Sequence, residues 1–144
     1  MKTVKVRQGL EAIRNEMLDL TIKHRLPFSV SDLGGACGIC SYLAFRMLKE
    51  MGYRPTFHMN EDHCFVTVEG YWVDLTLTQF APDADEVFFY QYPYRRDRRG
   101  AGFVHRSEKR AKTERGIRRL FADWPKDQNP FKQKRIPRLP KVSA

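Results

Sequence analysis

No stretch of this 144-residue sequence approaches the run of about 18 apolar residues that a membrane-spanning helix needs. The opening residues, MKTVKVRQGLEAIRNEM, have none of the apolar core of a secretory leader. Cysteine is scarce and odd in number: Cys37, Cys40 and Cys64 have no evident structural pairing, so reduced thiols and a cytoplasmic setting are expected. A second Cys-x-x-Cys is missing, which argues against a zinc ribbon, and no internal repeat is present. What remains is a chain of ordinary apolar content, 42%, long enough for one domain with a real core.

Acidic residues are the other scarcity, and only locally. Residues 1–94 hold 9 Lys/Arg against 12 Asp/Glu, a net −3, whereas residues 95–144 hold 17 against 5, a net +12. The chain therefore divides into a mildly acidic body, 1–94, and a basic C-terminal extension, 95–144. Arg95, Arg96, Arg98 and Arg99 follow the aromatics Phe89, Tyr90, Tyr92 and Tyr94, which places charge beside stacking surface. The extension is expected to recruit nucleic acid or an acidic protein, or else to be a solvated tail. Its one histidine, His105, lies among arginines in the sequence and receives no catalytic role.

Hydrophobic period orders the body. Leu10, Ile13, Met17 and Leu20 form one face of a helix over 8–24, ended by Pro27. A second, amphipathic helix runs from Cys37 to Met51 and stops at Gly52. The period then falls to two through YRPTFHM, HCFVTVE, YWVDLTLT and EVFFYQY, the pattern of an antiparallel meander. Helices followed by hairpin-linked strands predict an α+β domain. In the extension, 107–124 reads as a basic helix capped by Ser107, with Ile117, Leu120, Phe121 and Trp124 available for docking. The four-proline end, from Pro125, reads as extended and ordered only if something holds it.

Cys37 is the residue that carries chemistry. A helix N-terminus offers unpaired N–H groups and partial positive charge, which favour a thiolate and stabilise an oxyanion. Gly34 and Gly35, just upstream, allow a sharp turn and close approach of a substrate. A nucleophilic thiol needs a base, and the base an orienting group. If Glu69–Gly70 is a two-residue hairpin turn, then Val68 faces Tyr71, Thr67 faces Trp72 and Phe65 faces Asp74. His63 and Asp74 then share a sheet face as diagonal neighbours. A small buried hydrophobe at position 37, a surface histidine at 63 and a turn-capping carboxylate at 74 are the plainer readings of each residue alone.

This order resembles that of the transglutaminase-like proteins, a papain-like cysteine fold. GACGICSYLAFRMLKEMGY is similar to that family's G-x-C-x-x-x-S-x-x-L helix, with Cys37, Ser41 and Gly52 in place. DHCFVTV resembles its histidine strand, and GYWVDLTLTQF its W-x-x-D-x-T strand, with Asp74, Thr76 and the trailing Gln79–Phe80. At the papain oxyanion position, six residues before Cys37, stands Ser31 in place of glutamine. The resemblance covers residues 31–80 and does not extend into 81–144. It implies Cys37 as nucleophile, His63 as general base and acid, and Asp74 as its orienter. Gly35, Trp72 and Gln79 are then the expected substrate contacts. The implied activity is hydrolysis or acyl transfer at an amide of a protein or peptide, without cofactor or metal. The family's deamidases, peptidases and transglutaminases are all compatible with these residues.

Two rivals stand beside it. Cys37 and Cys40 with His58, His63 or Cys64 offer zinc ligands, although alternation in a strand puts His63 and Cys64 on opposite faces. The other is a non-catalytic binding module of the same fold that works through its basic extension.

Overall fold

The computed structural model describes residues 1–91 and 104–141. Val6, Leu10, Ile13 and Met17, spaced by four, three and four, form the buried stripe of helix α1 (Thr3–His24). α1 starts five residues earlier than its periodicity suggested and ends where Arg25 turns left-handed, returning its N–H to the Thr21 carbonyl.

Helix α2 (Cys37–Glu50) is the axis of the molecule. Every residue from Cys37 to Phe45 is buried. A helix enclosed on all sides is a central one, so the amphipathic expectation for α2 is corrected over its first half. α1 and the sheet cover part of it. The rest is covered by residues of the C-terminal third, where Phe131 packs on Tyr42 with ring centroids 4.7 Å apart.

The sheet contains β1 (Thr56–Met59), β2 (Cys64–Val68), β3 (Tyr71–Asp74), β4 (Phe88–Gln91) and β5 (Lys109–Ala111). Its order is β4-β3-β2-β1-β5, antiparallel throughout. The first four strands are the expected meander. β5 comes from the basic third and pairs with the free edge of β1, Phe57 opposite Ala111. A short helix, α3 (Glu114–Leu120), follows, capped by the Thr113 side chain, which accepts from Gly116 N–H at 3.0 Å. The described residues thus contain three helices and a five-stranded antiparallel sheet, an α+β fold.

The continuous helix expected over 107–124 is therefore corrected. Its first turn is strand, because β1 presents unpaired N–H and C=O groups that a local helix would have left open. Ser107 does not cap it, and instead bonds His58 Nδ1 at 2.7 Å. The division at 94/95 drawn from charge is not a packing boundary either. Ile117 and Phe121 are fully buried in the same core as Leu10 and Leu43. Beyond them Asn129 donates to the Phe121 carbonyl at 3.0 Å and caps the turn Pro130–Lys132, which holds the proline-containing end in place. Tyr92, Tyr94, Arg95, Arg96, Arg98 and Arg99 lie outside the described residues.

Gly38 shows how tight this docking is. A Cβ there would sit 2.7 Å from the Gln128 carbonyl oxygen and 2.8 Å from the Phe121 ring. Only glycine lets the C-terminal third lie this close to the first turn of α2. Among the described residues no helix is long and apolar enough to cross a membrane.

Candidate active site

Glu69 and Gly70 both have positive φ, 46° and 79°, as a two-residue hairpin turn of the primed type requires. The turn fixes the register: Val68 pairs with Tyr71, Thr67 with Trp72 and Val66 with Val73. One step further sets Phe65 opposite Asp74. His63, at the entry to β2, then meets Asp74 across the strands, with His63 Nε2 2.5 Å from Asp74 Oδ2. His63 is 0% exposed and Asp74 1%.

Asp74 is held from three sides. Its Oδ1 accepts the Thr76 N–H at 2.9 Å, and its Oδ2 is also 2.8 Å from Nε2 of His105. Burial alone would raise its pKa, but the His63 charge and the hydrogen bonds from both imidazoles keep the carboxyl well below the usual range. An ionised carboxylate can only accept, so both histidines carry a proton on Nε2. This leaves His63 Nδ1 for the thiol. Burial opposes charge on His63, yet Asp74, and then Cys37, raise its pKa to about 10.

Cys37 opens α2 with no side-chain cap above it. The intrahelical ladder begins with Cys40 N–H on Ala36 O, so the amides of Cys37, Gly38 and Ile39 precede it. A hydrogen bond from the Cys64 thiol is the largest influence on Cys37. With His63, it outweighs burial and brings the Cys37 pKa down to about 5. The charge belongs on Cys37, which has the helix terminus and the imidazole. Cys64 is pushed up by burial and by Cys37 itself. Cys40 is also raised, chiefly by burial, and stays a thiol.

The structure therefore brings Cys37, His63 and Asp74 together. Cys64 opens β2 one residue after His63, and among the described residues no cysteine joins His63 in a group of potential metal ligands. Of the expected substrate contacts, Gln79 lies at the site. Its Nε2 is 3.5 Å from His63 Nδ1 and 3.2 Å from Thr76 Oγ1. Gly35, with φ of 93°, turns the chain into α2 beside Phe28. Trp72 stacks on Phe65 and packs against His105.

Three contributors were not assigned from the sequence. Cys64 supports the thiolate. Phe80, 40% exposed, meets the His63 ring edge-on at 5.1 Å. His105 lies not among arginines but among Phe65, Trp72 and Phe88, with its Nε2 on Asp74. No motif around VHR marks it, because its partner stands 31 residues earlier.

The zinc arrangement built on His58 is not formed. Its ring nitrogens are 2.7 Å from Ser107 Oγ and 2.8 Å from Thr67 Oγ1, and burial, Arg110 and His105 bring its pKa down to about 4. His63, Asp74 and His105 do gather three potential ligand atoms within 4.8 Å. The carboxylate oxygen, however, sits 2.5 and 2.8 Å from the two nitrogens. Ligands of a tetrahedral zinc with bonds of about 2.0 Å would stand about 3.3 Å apart. The spacing is that of hydrogen bonds.

α1 braces the site from behind. Arg14 donates from Nε to the Leu75 carbonyl at 3.1 Å, just after Asp74, and pairs with Glu86 at 2.7 Å. A surface groove of about 430 Å³ between α1 and the edge of β3 and β4 includes none of the residues gathered around Cys37.

The chain matches no protein-family model, no curated protein and no solved structure.

Proposed function

We propose that the protein is a cysteine-dependent hydrolase or acyl-transfer enzyme acting on an amide, built on a transglutaminase-like core. The observation that carries this reading is the joint placement of Cys37, His63 and Asp74, with a lowered thiol beside a raised imidazole. A structural trio of buried residues has no need of a thiolate.

In this reading the Cys37 thiolate attacks the carbonyl carbon of the substrate. The resulting oxyanion is met by the backbone N–H groups at the head of α2, with the Gln79 amide alongside. His63 gives its Nδ1 proton to the leaving amine, and the amine departs as the thioester forms. Water, or an acceptor amine, then attacks the thioester while His63 takes its proton. Asp74 fixes the imidazole orientation throughout. An extended peptide suits the strand-rimmed site, so deamidation or cleavage of a protein or peptide substrate is the leading activity. The setting proposed is cytoplasmic, where the three thiols remain reduced.

The test is alkylation of Cys37 by iodoacetamide against pH, with the modified residue located by mass spectrometry. Rapid modification at pH 6 that is lost in His63→Ala supports the proposal. A Cys37 that reacts only above pH 8 refutes it. Prior dialysis against a chelator should leave the profile unchanged.

One observation favours a second role for the basic third. Lys109, Arg110, Lys112, Arg115, Arg118 and Arg119 are all exposed along β5, α3 and the link between them. Such a surface suits a polyanion, and binding of single-stranded DNA with a steep salt dependence would establish it.

A further inference from the structure

His105 is brought to Asp74 by construction rather than by chance of packing. Asn60, 4% exposed, donates from Nδ2 to the carbonyls of Val104 at 2.8 Å and Arg106 at 2.9 Å, one on each side of His105. The same asparagine donates its backbone N–H to the carbonyl of His63 at 3.0 Å. One residue thus ties together the two backbone segments that carry the two histidines. β5 fastens the segment again a few residues on, with His58 opposite Arg110, and His58 holds Ser107. The His105 ring is wedged among Phe65, Trp72 and Phe88, at 4.8 to 5.3 Å between ring centroids. The ring therefore has its orientation set on all sides, with Nε2 directed at Asp74 Oδ2.

We propose that His105 is a positioning residue of this active site, holding the Asp74 carboxylate against His63 by sharing its Oδ2, with the two imidazole ring centroids 6.2 Å apart. The proposal rests on the Cys37–His63–Asp74 reading and adds a fourth member, supplied by the basic third. Its action goes through Asp74. With Oδ1 bonded to Thr76 and Oδ2 shared between two imidazoles, the carboxylate cannot swing away when the His63 charge changes during turnover. Sharing Oδ2 also weakens its pull on the His63 proton, so that the imidazolium can still act as an acid toward a leaving amine.

The experiment follows His63 by imidazole ¹⁵N NMR against pH in the full chain. The groups that act on it are Asp74 on β3 and Cys37 on α2, with the His105 ring 6.2 Å away; Cys64 and Cys40 lie around Cys37, Arg14 of α1 acts on Cys40, and His58 and Arg110 lie beyond His105. In the wild type, His63 and His105 should both show the proton on Nε2. In His105→Phe the carboxylate keeps one imidazole partner, and the His63 titration should move upward by about one pH unit. His105→Gln, whose amide N–H stands near the lost Nε2–H, should return it to within about a third of a unit. Asn60→Ala should move it in the same direction as His105→Phe, but less. A role in packing alone would lower the melting temperature without moving the titration.

An unmoved His63 titration in His105→Phe, or a His105 proton on Nδ1 in the wild type, overturns the proposal. If His105→Phe does not fold, the wild-type tautomer and the Asn60→Ala shift decide. Iodoacetamide keeps the two readings apart. Loss of low-pH reactivity at wild-type Cys37 would refute the thiol mechanism, whereas normal reactivity with an indifferent His105→Phe would refute only the positioning role.

Discussion

A thiolate at Cys37 and an imidazolium at His63 each stabilise the fold over a different range of pH. Cys37 falls from 9.0 to about 5, so its contribution is complete above 9.0 and is lost as pH falls through about 5. His63 rises from 6.5 to about 10, so its contribution is complete below 6.5 and is lost as pH rises through about 10. The two slopes cancel between 6.5 and 9.0, so the melting temperature should form a plateau there and fall on either side. In Cys37→Ser the acid shoulder near pH 5 should flatten, which differential scanning fluorimetry across pH would show. Asp74→Asn removes the charge that both imidazoles face. Alkylation of Cys37 at pH 6 should drop at least tenfold, with a stability loss of about 3 kcal/mol from a buried charge left without its partner. Retained reactivity would mean that Cys64 and the helix terminus suffice. The grouping of Cys37, His63 and Asp74 was legible because each residue carries a local signature: glycines before the thiol, a hairpin turn that sets register, and a carboxylate on an apolar face. His105 carried none. Its role depends on Asn60 and on a strand pairing that joins residues about 50 apart, which period and motif do not record.

At the scale of elements, the sequence disclosed those whose residues stay within one period. α1, α2 and β1 to β4 follow from spacings of three and four, or of two. β5 did not, because Lys109, Arg110 and Ala111 fit a helix equally well, and the edge of β1 decided between them. The docking of the C-terminal third on α2 was likewise open until Gly38 was seen under Gln128 and Phe121. Phe121→Ala should cost roughly 3–5 kcal/mol, since the ring is fully buried and packs edge-on to Phe57 at 5.6 Å. Gly38→Ala should cost about 1–3 kcal/mol by forcing the Gln128 backbone outward. Urea titrations of both variants would test this pair of expectations. A neutral Gly38→Ala would show that the C-terminal segment is held more loosely than its contacts imply.

For the whole molecule, charge and packing divide the chain differently. Charge separates residues 1–94 from 95–144, while the core joins them through β5, Ile117 and Phe121. Removing everything after residue 94 should therefore not yield a reactive body without its tail. It uncovers one side of α2 and the edge of β1, and the melting temperature should fall by well over the roughly 4 °C expected per kcal/mol in a chain of this size. A truncated protein that melts like the intact one would show that the contacts on α2 are dispensable. The same joining has a consequence during synthesis. The ribosome releases Cys37, His63 and Asp74 well before His105 and Phe121. Until the basic third emerges and settles on Gly38, the thiol has neither its finished electrostatic surroundings nor a closed helix beneath it. On the proposed reading, the nucleophile would therefore be complete only once the last third of the chain has folded onto α2.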